Sequence, residues 1–315
     1  MGCEERAETV VVYCSVDETI ARPLFDAFER ETGIAVRAVT DHEAGKTTGL
    51  LQRIVAEGDR PRADVLFSGE LFGTMQLAER GALEAFLPEM WEGIPSDYID
   101  GKHRWTAVSL RARVLAFDGA RVAADELPRS WEELGDARWA AHLAMANPLF
   151  GTTRGHVAAM FAAWGDERAT QYLKSLRAHG AMFVDGNSSA VRAVLDGRAR
   201  WCMTDMDDVY AARREGHVSL EMVLPDMGHG DTMWIPCTVA LIRSGPHSAA
   251  GRRLVSFLVS AEVERTMAES DARFVPVRPG LRDGRLNPKT PPVGYAAIAA
   301  ALPRSDRVVR DVLLR

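Results

Sequence analysis

The chain has 315 residues, which is long for one hydrophobic core and sufficient for two domains. Its hydrophobic content of 47% and charged content of 26% are ordinary for a soluble globular protein. A formal net charge of −6 argues against a nucleic-acid partner, and no apolar run reaches the roughly 18 residues that a membrane span requires.

The N-terminus places Cys3 directly after Gly2 and before a charged stretch. A small residue followed by cysteine is the pattern at which bacterial lipoproteins are cut and lipidated. This pattern predicts a periplasmic or cell-surface protein with a lipid anchor at Cys3. The alternative is an ordinary cytosolic start that happens to contain Cys3. N-myristoylation is excluded because Arg6 stands where Ser or Thr is required.

In the N-terminal part, three short apolar strands alternate with amphipathic helices. Each strand is followed by polar residues. These are Ser15 and Asp17 after the first strand, Thr47 within Lys46-Thr47-Thr48-Gly49 after the second, and Ser68 and Glu70 after the third. The carboxyl ends of strands in an open parallel α/β sheet face one crevice, where ligands bind. We therefore expect these side chains to contact a small ligand. The alternative for the segment with Thr47 is a cap of the helix that follows it.

Further along, the apolar alternation from Trp105 to Phe117 predicts a pair of strands. The segment Gly151-Thr152-Thr153-Arg154 then follows a strand and opens a helix. Its backbone N–H groups, two hydroxyls and one guanidinium would suit an anion. The alternative is a Thr cap with a surface Arg.

A strand from Ala199 to Met203 is followed by Asp205, Asp207 and Asp208. If the two domains close on each other, these carboxylates could converge with those of Asp17 and Glu70. Converging carboxylates need a cation, either a metal ion or an amine. The alternative is that they cap the following helix, where negative charge is favoured.

Near the end of the second domain, Met233 to Ile242 predicts a long strand interrupted at Pro236, and the chain beyond it is mostly helical. Trp234 in this strand could receive an ammonium group by cation–π attraction, or could be a packed core aromatic. Cys14, Cys202 and Cys237 could supply one disulfide in an oxidising compartment or remain buried thiols, and the sequence selects no pair.

The segment Tyr13 to Phe72 resembles the start of the bacterial extracellular solute-binding proteins of ABC importers, in the branch usually labelled iron(III)-binding. The resemblance rests on Tyr-x-x-x-Asp, Glu-Thr-Gly-Ile, Lys-Thr-Thr-Gly-Leu and Ala-Asp-Val, and it extends over most of the chain. It implies an α/β, two-domain periplasmic-binding-protein-like fold (type II), with two interdomain crossovers and a ligand cleft between the domains. Domain 1 would comprise residues 8–110 plus 238–315, and domain 2 residues 111–237.

The ligands expected of this branch are only partly present. Ferric-binding members typically carry two adjacent tyrosines after the strand that here precedes Met206 and Asp207, whereas the single Tyr210 comes a turn later. Asp17 stands where some relatives have a histidine. The resemblance thus leaves Asp17, Glu70 and Asp207 as ligands for a hard cation, with Tyr210 as a further ligand contact.

The resulting prediction is a monomeric receptor that captures a small polar ligand by hinge closure and delivers it to an ABC permease and ATPase. The ligand would be ferric iron or another metal with a synergistic anion, so a bound metal would be cargo and no cofactor is expected. The alternative ligand is a small zwitterion such as an aminoalkylphosphonate.

Two functions from other classes stay open at this point. One is a protein that presents its ligand to a membrane sensor. The other is a hydrolase that would use Thr153, Arg154 and Asp207. The sequence motifs favour neither, because no G-x-S-x-G, H-E-x-x-H or G-x-G-x-x-G pattern occurs, and we expect no enzymatic activity.

Overall fold

The structure is a computed structural model that describes residues 8–40 and 46–313. Within these residues the chain falls into two compact units. Unit 1 contains the described residues up to Leu110, together with Pro236–Ser270 and Val275–Asn287. Unit 2 contains Arg111–Ile235, Asp271–Phe274 and the described residues from Pro288 on. Cys3, the predicted lipid anchor, lies outside the described residues.

The strands are β1 (Thr9–Cys14), β2 (Ala35–Val39), β3 (Val65–Ser68), β4 (Leu83–Glu84), β5 (Thr106–Asp118), β6 (Leu143–Ala146), β7 (Met182–Val184), β8 (Trp201–Asp205), β9 (Leu220–Val223) and β10 (Trp234–Ile242). The α-helices are α1 (Glu18–Thr32), α2 (Lys46–Glu57), α3 (Leu71–Glu79), α4 (Ala137–Ala140), α5 (Gly151–Trp164), α6 (Asp166–Ala178), α7 (Asn187–Leu195), α8 (Met206–Arg214), α9 (Ser248–Leu258), α10 (Ala261–Glu269) and α11 (Gly294–Leu313). Among these described helices, none is long and apolar enough to cross a membrane.

The sheet of unit 1 has the strand order β2-β1-β3-β10. The first three strands are parallel, and β10 runs antiparallel to β3. Helix α1 lies between β1 and β2 and buries Leu24, Phe25 and Phe28. It ends at Gly33, whose φ of 73° is a left-handed conformation that glycine adopts without steric cost. The predicted series of three parallel strands with polar carboxyl ends is confirmed.

The sheet of unit 2 has the order β5-β8-β6-β7. Strand β8 is antiparallel to β5 and parallel to β6, and β6 is parallel to β7. Helices α5, α7 and α8 follow β6, β7 and β8, so all three begin at the same edge of this sheet. That edge therefore collects three helix N-termini, and it contains most of the functional residues described below.

Two strands differ from their predictions. The pair of strands expected between Trp105 and Phe117 is a single strand, β5. Its central residue, Arg113, is completely buried and forms an ion pair and hydrogen bonds, so the chain makes no turn there. Strand β10 continues through Pro236. Its pairing with β3 begins only at Thr238, so the missing N–H of the proline removes no hydrogen bond from that ladder.

The domain boundaries also need one correction. The chain passes between the units after Leu110, as predicted, and again after Ile235, two residues before the predicted boundary at 237. The C-terminal helix α11, however, was predicted in domain 1 and belongs to unit 2. The reason is its apolar face, which buries Ile298, Leu302 and Val309 and packs against α5 and α6.

The three cysteines within the described residues are buried in the cores of the two units. Cys14 and Cys237 belong to unit 1 and Cys202 to unit 2, and the structure forms no disulfide among them. Burial raises the pKa of the Cys202 thiol. This outcome corresponds to the interpretation of these residues as small, buried apolar side chains.

Candidate functional site

The site of unit 2 is built on the first turns of α5 and α7. Neither helix has a side-chain cap within the described residues, since Phe150 and Gly186 occupy their N-cap positions. Thr153 Oγ1 donates to Asn187 Oδ1 at 3.5 Å, and Asn187 Nδ2 donates to Thr152 Oγ1 at 3.4 Å, which brings the two starts together. Uncapped backbone N–H groups and the helix dipoles favour an anion here.

Arg113 of β5 lies immediately beneath these helix starts, with no exposed surface. Its Nη1 donates to Asp205 Oδ1 at 2.7 Å and to Thr152 Oγ1 at 3.0 Å, and its Nη2 donates to Thr153 Oγ1 at 3.1 Å. A buried guanidinium is tolerated only when it is paired and hydrogen-bonded in this way. Arg113 therefore fixes the positions of both threonine hydroxyls relative to Asp205.

His156 completes the surroundings of Arg113. Burial, followed by the nearby charge of Arg113, holds the pKa of His156 well below its ordinary value, so the imidazole is neutral. Arg113 Nε donates to His156 Nδ1 at 3.4 Å. Because Arg113 has no acceptor, Nδ1 must accept, and the single ring proton then belongs on Nε2, which lies 3.2 Å from Met227 Sδ.

Asp205 is the common acceptor of this network. Besides Arg113, its carboxylate accepts from Thr152 Oγ1 at 2.7 Å and from Asn187 Nδ2 at 3.0 Å. Burial alone would raise the pKa of Asp205, but the charges of Arg113 and Arg111 and the hydrogen bonds from Arg113 and Thr152 outweigh burial and lower it. Asp205 is thus a buried, ionised carboxylate at the start of α8.

The other two carboxylates of the segment have different roles. Asp207 Oδ2 accepts from Arg111 Nη1 at 2.6 Å. Asp208 Oδ2 accepts from Thr204 Oγ1 at 2.6 Å and from the backbone N–H of Asp205 at 3.0 Å, which is the helix-capping role considered from the sequence. Burial, then the charges of Asp207 and Asp205, raise the pKa of Asp208 to about 8, so it is mostly protonated at neutral pH.

Ligand oxygens from Asp205, Asp207 and Asp208 lie within 4.8 Å of one another, close enough to share one cation. The same edge of the sheet carries the uncapped starts of α5 and α7, which favour an anion. Arg111 and Arg113 already pair with two of the carboxylates, so the formal charges of this network balance when Asp208 is protonated. The arrangement can accordingly take up an anion and a cation side by side.

In unit 1, Ser15, Ser68 and Glu70 form a second group. Ser15 Oγ accepts from the backbone N–H of Gly69 at 3.0 Å, and Ser68 Oγ donates to the carbonyl of Glu70 at 2.7 Å. The Glu70 carboxylate, proposed from the sequence as a metal ligand, accepts from the backbone N–H groups of Phe72 and Gly73 at 2.7 and 2.9 Å. These contacts are those of an N-cap of α3.

The structure gives fewer contacts for the other two predicted ligand residues of unit 1, Asp17 and Thr47. Asp17 is exposed and precedes α1, and its carbonyl oxygen accepts from the N–H groups of Ile20 and Ala21. Thr47 lies in the first turn of α2, but its side chain is outside the described part. Convergence of Asp17 and Glu70 with the carboxylates of unit 2 stays a prediction.

Three predicted ligand residues of unit 2 have structural partners of their own. Arg154 forms a two-pronged ion pair with Asp306 of α11, at 2.9 and 2.8 Å. Trp234 is buried, and its indole N–H donates to Asp231 Oδ2 at 2.9 Å, so it is the packed aromatic considered as the alternative. The ring of Tyr210 is half-buried and lies 5.9 Å from the Arg213 guanidinium. Gly151 stands at the start of α5 with a φ of 55°.

Sequence reasoning missed Arg111, Arg113 and His156. The signal available for the two arginines was their spacing of two in an apolar stretch, which places both side chains on one face of a strand. His156 offered no such signal, because a histidine four residues after Thr152 on a helix is equally consistent with a surface position.

Comparisons with known proteins agree with this architecture. Residues 61–294 match the model of a family described as bacterial extracellular solute-binding proteins. The major ferric iron-binding protein of Neisseria meningitidis is 26% identical over 279 residues, covering 86% of this chain and 81% of that protein. A periplasmic protein of Salmonella typhi named for 2-aminoethylphosphonate binding is 26% identical over 275 residues, covering 84% and 77%.

Among solved structures, iron-bound HitA of Pseudomonas aeruginosa superposes with a TM-score of 0.85 at 25% identity, covering 97% of this chain and 99% of that one. The apo ferric ion-binding protein A of Pasteurella haemolytica also superposes with a TM-score of 0.85, at 20% identity, which supports the fold. The family match spans more than half of the sequence. The chain belongs to the bacterial extracellular solute-binding proteins.

Proposed function

We propose that this protein is the extracellular binding component of an ABC importer and that it captures ferric iron together with a synergistic anion. The observation that carries the proposal is the meeting, in unit 2, of the uncapped starts of α5 and α7 with the carboxylates of Asp205 and Asp207. Relatives named for ferric iron binding extend over most of the chain. The ligand is bound and released without chemical change.

In this proposal the anion contacts the first turn of α5, where Thr152 and Thr153 are held by Arg113. Ferric iron is a hard cation and prefers oxygen ligands, which the Asp207 carboxylate supplies. The adjacent tyrosines expected of ferric-binding members are absent, so protein carboxylates and the anion would provide the negative charge. Asp17 of unit 1 is the proposed additional ligand.

A second candidate ligand is a small zwitterion such as 2-aminoethylphosphonate. The observation that favours it is the charge balance of the site, in which Arg111 and Arg113 already pair with Asp207 and Asp205. A zwitterion adds no net charge to such a network. Its phosphonate would contact the starts of α5 and α7, and its ammonium would contact Asp207.

Native mass spectrometry of the freshly purified protein, compared with the denatured mass, separates these ligands. A releasable mass equal to iron, alone or with a small anion, supports the first proposal. A releasable organic mass overturns it and identifies the ligand class. If the protein is isolated empty, titration with ferric citrate plus phosphate, and separately with 2-aminoethylphosphonate, gives the two affinities.

Variants divide the site into its two halves. Thr152→Val should weaken binding of the anionic group by about tenfold, since it removes the hydroxyl that connects the α5 start to Arg113, Asp205 and Asn187. Asp207→Asn should reduce uptake of the cation by a similar or larger factor. Asp196→Asn is the matched control, because Asp196 is exposed at the end of α7. Unchanged affinity in both site variants would refute the assignment of unit 2 residues to ligand binding.

Membership of the family supports the proposed partners and location. Delivery to a permease and ATPase complex would be tested by ligand-dependent stimulation of ATP hydrolysis in a reconstituted importer. We propose that the receptor acts as a monomer outside the cytoplasmic membrane and is held there by a lipid at Cys3. An intact mass from the membrane fraction that exceeds the polypeptide mass by acyl chains, and that reverts in Cys3→Ser, is the expected result.

A further inference from the structure

A pocket separate from the residues of the candidate site lies within unit 2. Its volume is about 270 Å³, and it is formed by the end of α5, the loop that precedes β10 and the segment that leads into α11. Its walls include Ala163, Trp164, Met227, Met233 and Pro292. The proposed function assigns no role to this pocket, and the inference below goes beyond that function.

Among the described wall residues, one buried side-chain nitrogen has no hydrogen-bond partner. Asp226 Oδ1 accepts the backbone N–H groups of Gly228, His229, Gly230 and Asp231, at 2.8 to 3.1 Å, so this loop has a fixed shape. The Nε2 atom of His229 is buried and has no hydrogen-bond partner among the described residues. A buried polar atom without a partner is uncommon and indicates a missing contact.

The one arginine among the described wall residues is already paired. Arg168 forms an ion pair with Glu132, and the four backbone N–H groups on Asp226 Oδ1 stabilise the charge of that carboxylate within the loop. An anionic ligand would therefore find no unpaired arginine in this wall. The indole of Trp164, the thioethers of Met227 and Met233 and the ring of Pro292 instead offer apolar contact.

We propose that this pocket binds an uncharged, ring-sized organic molecule that carries one hydrogen-bonding group, with its ring against Trp164 and its polar group on His229. The volume fits this size, since an apolar cavity of about 150 Å³ is sufficient for benzene. It is too small for a helix or strand of a protein partner. Pockets with apolar walls and few polar groups are the usual sites of such ligands.

Occupancy of the pocket would act on the candidate site through two contacts. Met227 Sδ lies 3.2 Å from His156 Nε2, and the other nitrogen of that ring accepts from Arg113. Met233 O accepts from the backbone N–H of Arg113 at 2.8 Å. Arg113 in turn positions the hydroxyls of Thr152 and Thr153. The proposal therefore includes a change in the stability of the α5 start when the pocket is filled.

Indole is the probe, and calorimetric titration of the full chain is the first measurement. For a ligand of this size we expect a dissociation constant on the order of 10⁻⁴ M. Ala163→Phe should weaken indole binding at least about tenfold, because Ala163 lines the pocket and has an exposed side chain that can be enlarged without disturbing the core. Glu167→Phe, exposed on α6 and outside the pocket wall, is the matched control and should bind normally.

Hydrogen exchange tests the coupling. With indole bound, exchange should slow in peptides spanning 226–233 and 151–157, and it should stay unchanged in Ala163→Phe. Slower exchange confined to residues 226–233 would support binding in the pocket, but it would overturn the proposed coupling to the start of α5. Absence of heat and of protection at about 1 mM indole, or equal affinity of Ala163→Phe and Glu167→Phe, would overturn the site itself.

A further measurement uses the unmodified protein, so its result does not depend on whether a variant folds. Crystals soaked in 5-bromoindole should give an anomalous bromine peak beside Trp164, and a peak only elsewhere would refute the proposal. Loss of ferric or phosphonate binding in Thr152→Val with normal indole binding would concern the proposed function alone, so the two failures can be told apart.

Discussion

Glu70 in unit 1 and Asp205 in unit 2 occupy similar local positions, since each lies at or just beyond the carboxyl end of a buried strand and directly precedes a helix. Glu70 gives its carboxylate to backbone N–H groups of its own helix. Asp205 gives its carboxylate to Arg113, Thr152 and Asn187, which come from three other elements. The same local pattern thus produces a cap alone in unit 1, whereas in unit 2 it combines a capping box of α8 with the centre of a long-range network.

The difference arises from the neighbouring strand. In unit 2, Arg113 of β5 is the direct register partner of Asp205 on the antiparallel strand β8. In unit 1, the residue of β10 that pairs with Ser68 is Thr238, and its hydroxyl contacts Thr74 at 2.8 Å. Asp205 therefore gains long-range partners because the adjacent strand supplies a cation, whereas Glu70 has only the N–H groups of its own helix among its recorded side-chain partners.

The largest expected effect is the removal of Arg113. Arg113→Met leaves the buried Asp205 carboxylate without its main counter-charge, and we expect the free energy of unfolding to fall by about 3–5 kcal/mol. Urea unfolding followed by circular dichroism measures this change. A loss below about 1 kcal/mol would mean that the ion pair is not the organising contact of unit 2.

The double variant Arg113→Met/Asp205→Asn is the control for that experiment. Because it removes both charges, it should be more stable than Arg113→Met alone, and the interaction energy of the cycle should be at least about 1 kcal/mol. Additive effects would show that Arg113 and Asp205 do not interact. The proposed difference between the Asp205 network of unit 2 and the Glu70 cap of unit 1 would then be wrong.

The second expected effect is a pH dependence that belongs to Asp208. Its pKa is about 8 in the folded protein and near 3.8 when unfolded, so the folded state retains a proton that the unfolded state has lost. The stabilising contribution is complete at low pH and is lost as the pH rises towards about 8. The slope is at most about 1.4 kcal/mol per pH unit.

Asp208→Asn cannot titrate but keeps an oxygen for Thr204 Oγ1 and for the N–H of Asp205. The stability of this variant relative to the wild type should therefore rise by more than about 1 kcal/mol between pH 5 and pH 8. Unfolding midpoints of both proteins at these pH values test it. A constant difference would show that Asp208 is ionised throughout.

The smallest expected effect concerns the cap of unit 1. Glu70→Ala removes the acceptor for two N–H groups of α3 and should cost about 1 kcal/mol of stability. Glu70→Gln retains an oxygen and should cost less. If Glu70→Gln also abolished ligand binding without a loss of stability, Glu70 would contact the ligand in addition to capping α3. Its role would then differ less from that of Asp205.

Much of the fold was accessible from the sequence, because it depends on local signals. The three parallel strands follow from apolar periodicity, and the αL end of α1 follows from the glycine at position 33. The unit to which α11 belongs could not be predicted from the sequence. An amphipathic helix shows only that it packs against something, and α5 and α6 are distant in sequence.

The candidate site could be predicted from the sequence only in part, for a similar reason. Thr152, Thr153, Asp205 and Asp207 stand at strand or helix ends, where local pattern identifies them. Arg113 stands in the middle of a strand, and its role depends on the register between β5 and β8, which the sequence does not specify. The partners of Arg154 and Trp234, Asp306 and Asp231, are likewise set by tertiary packing.

The position of α11 has a consequence for the order in which the chain can fold. Helix α11 follows all other described elements and covers α5 and α6, whereas the last described segment of unit 1 ends at Asn287. During synthesis from the N-terminus, every segment of unit 1 is therefore available before unit 2 can bury the apolar face of α5. A polypeptide released after Asn287 would leave that face exposed and should be retained by chaperones, with the Thr152–Asp205 site unformed.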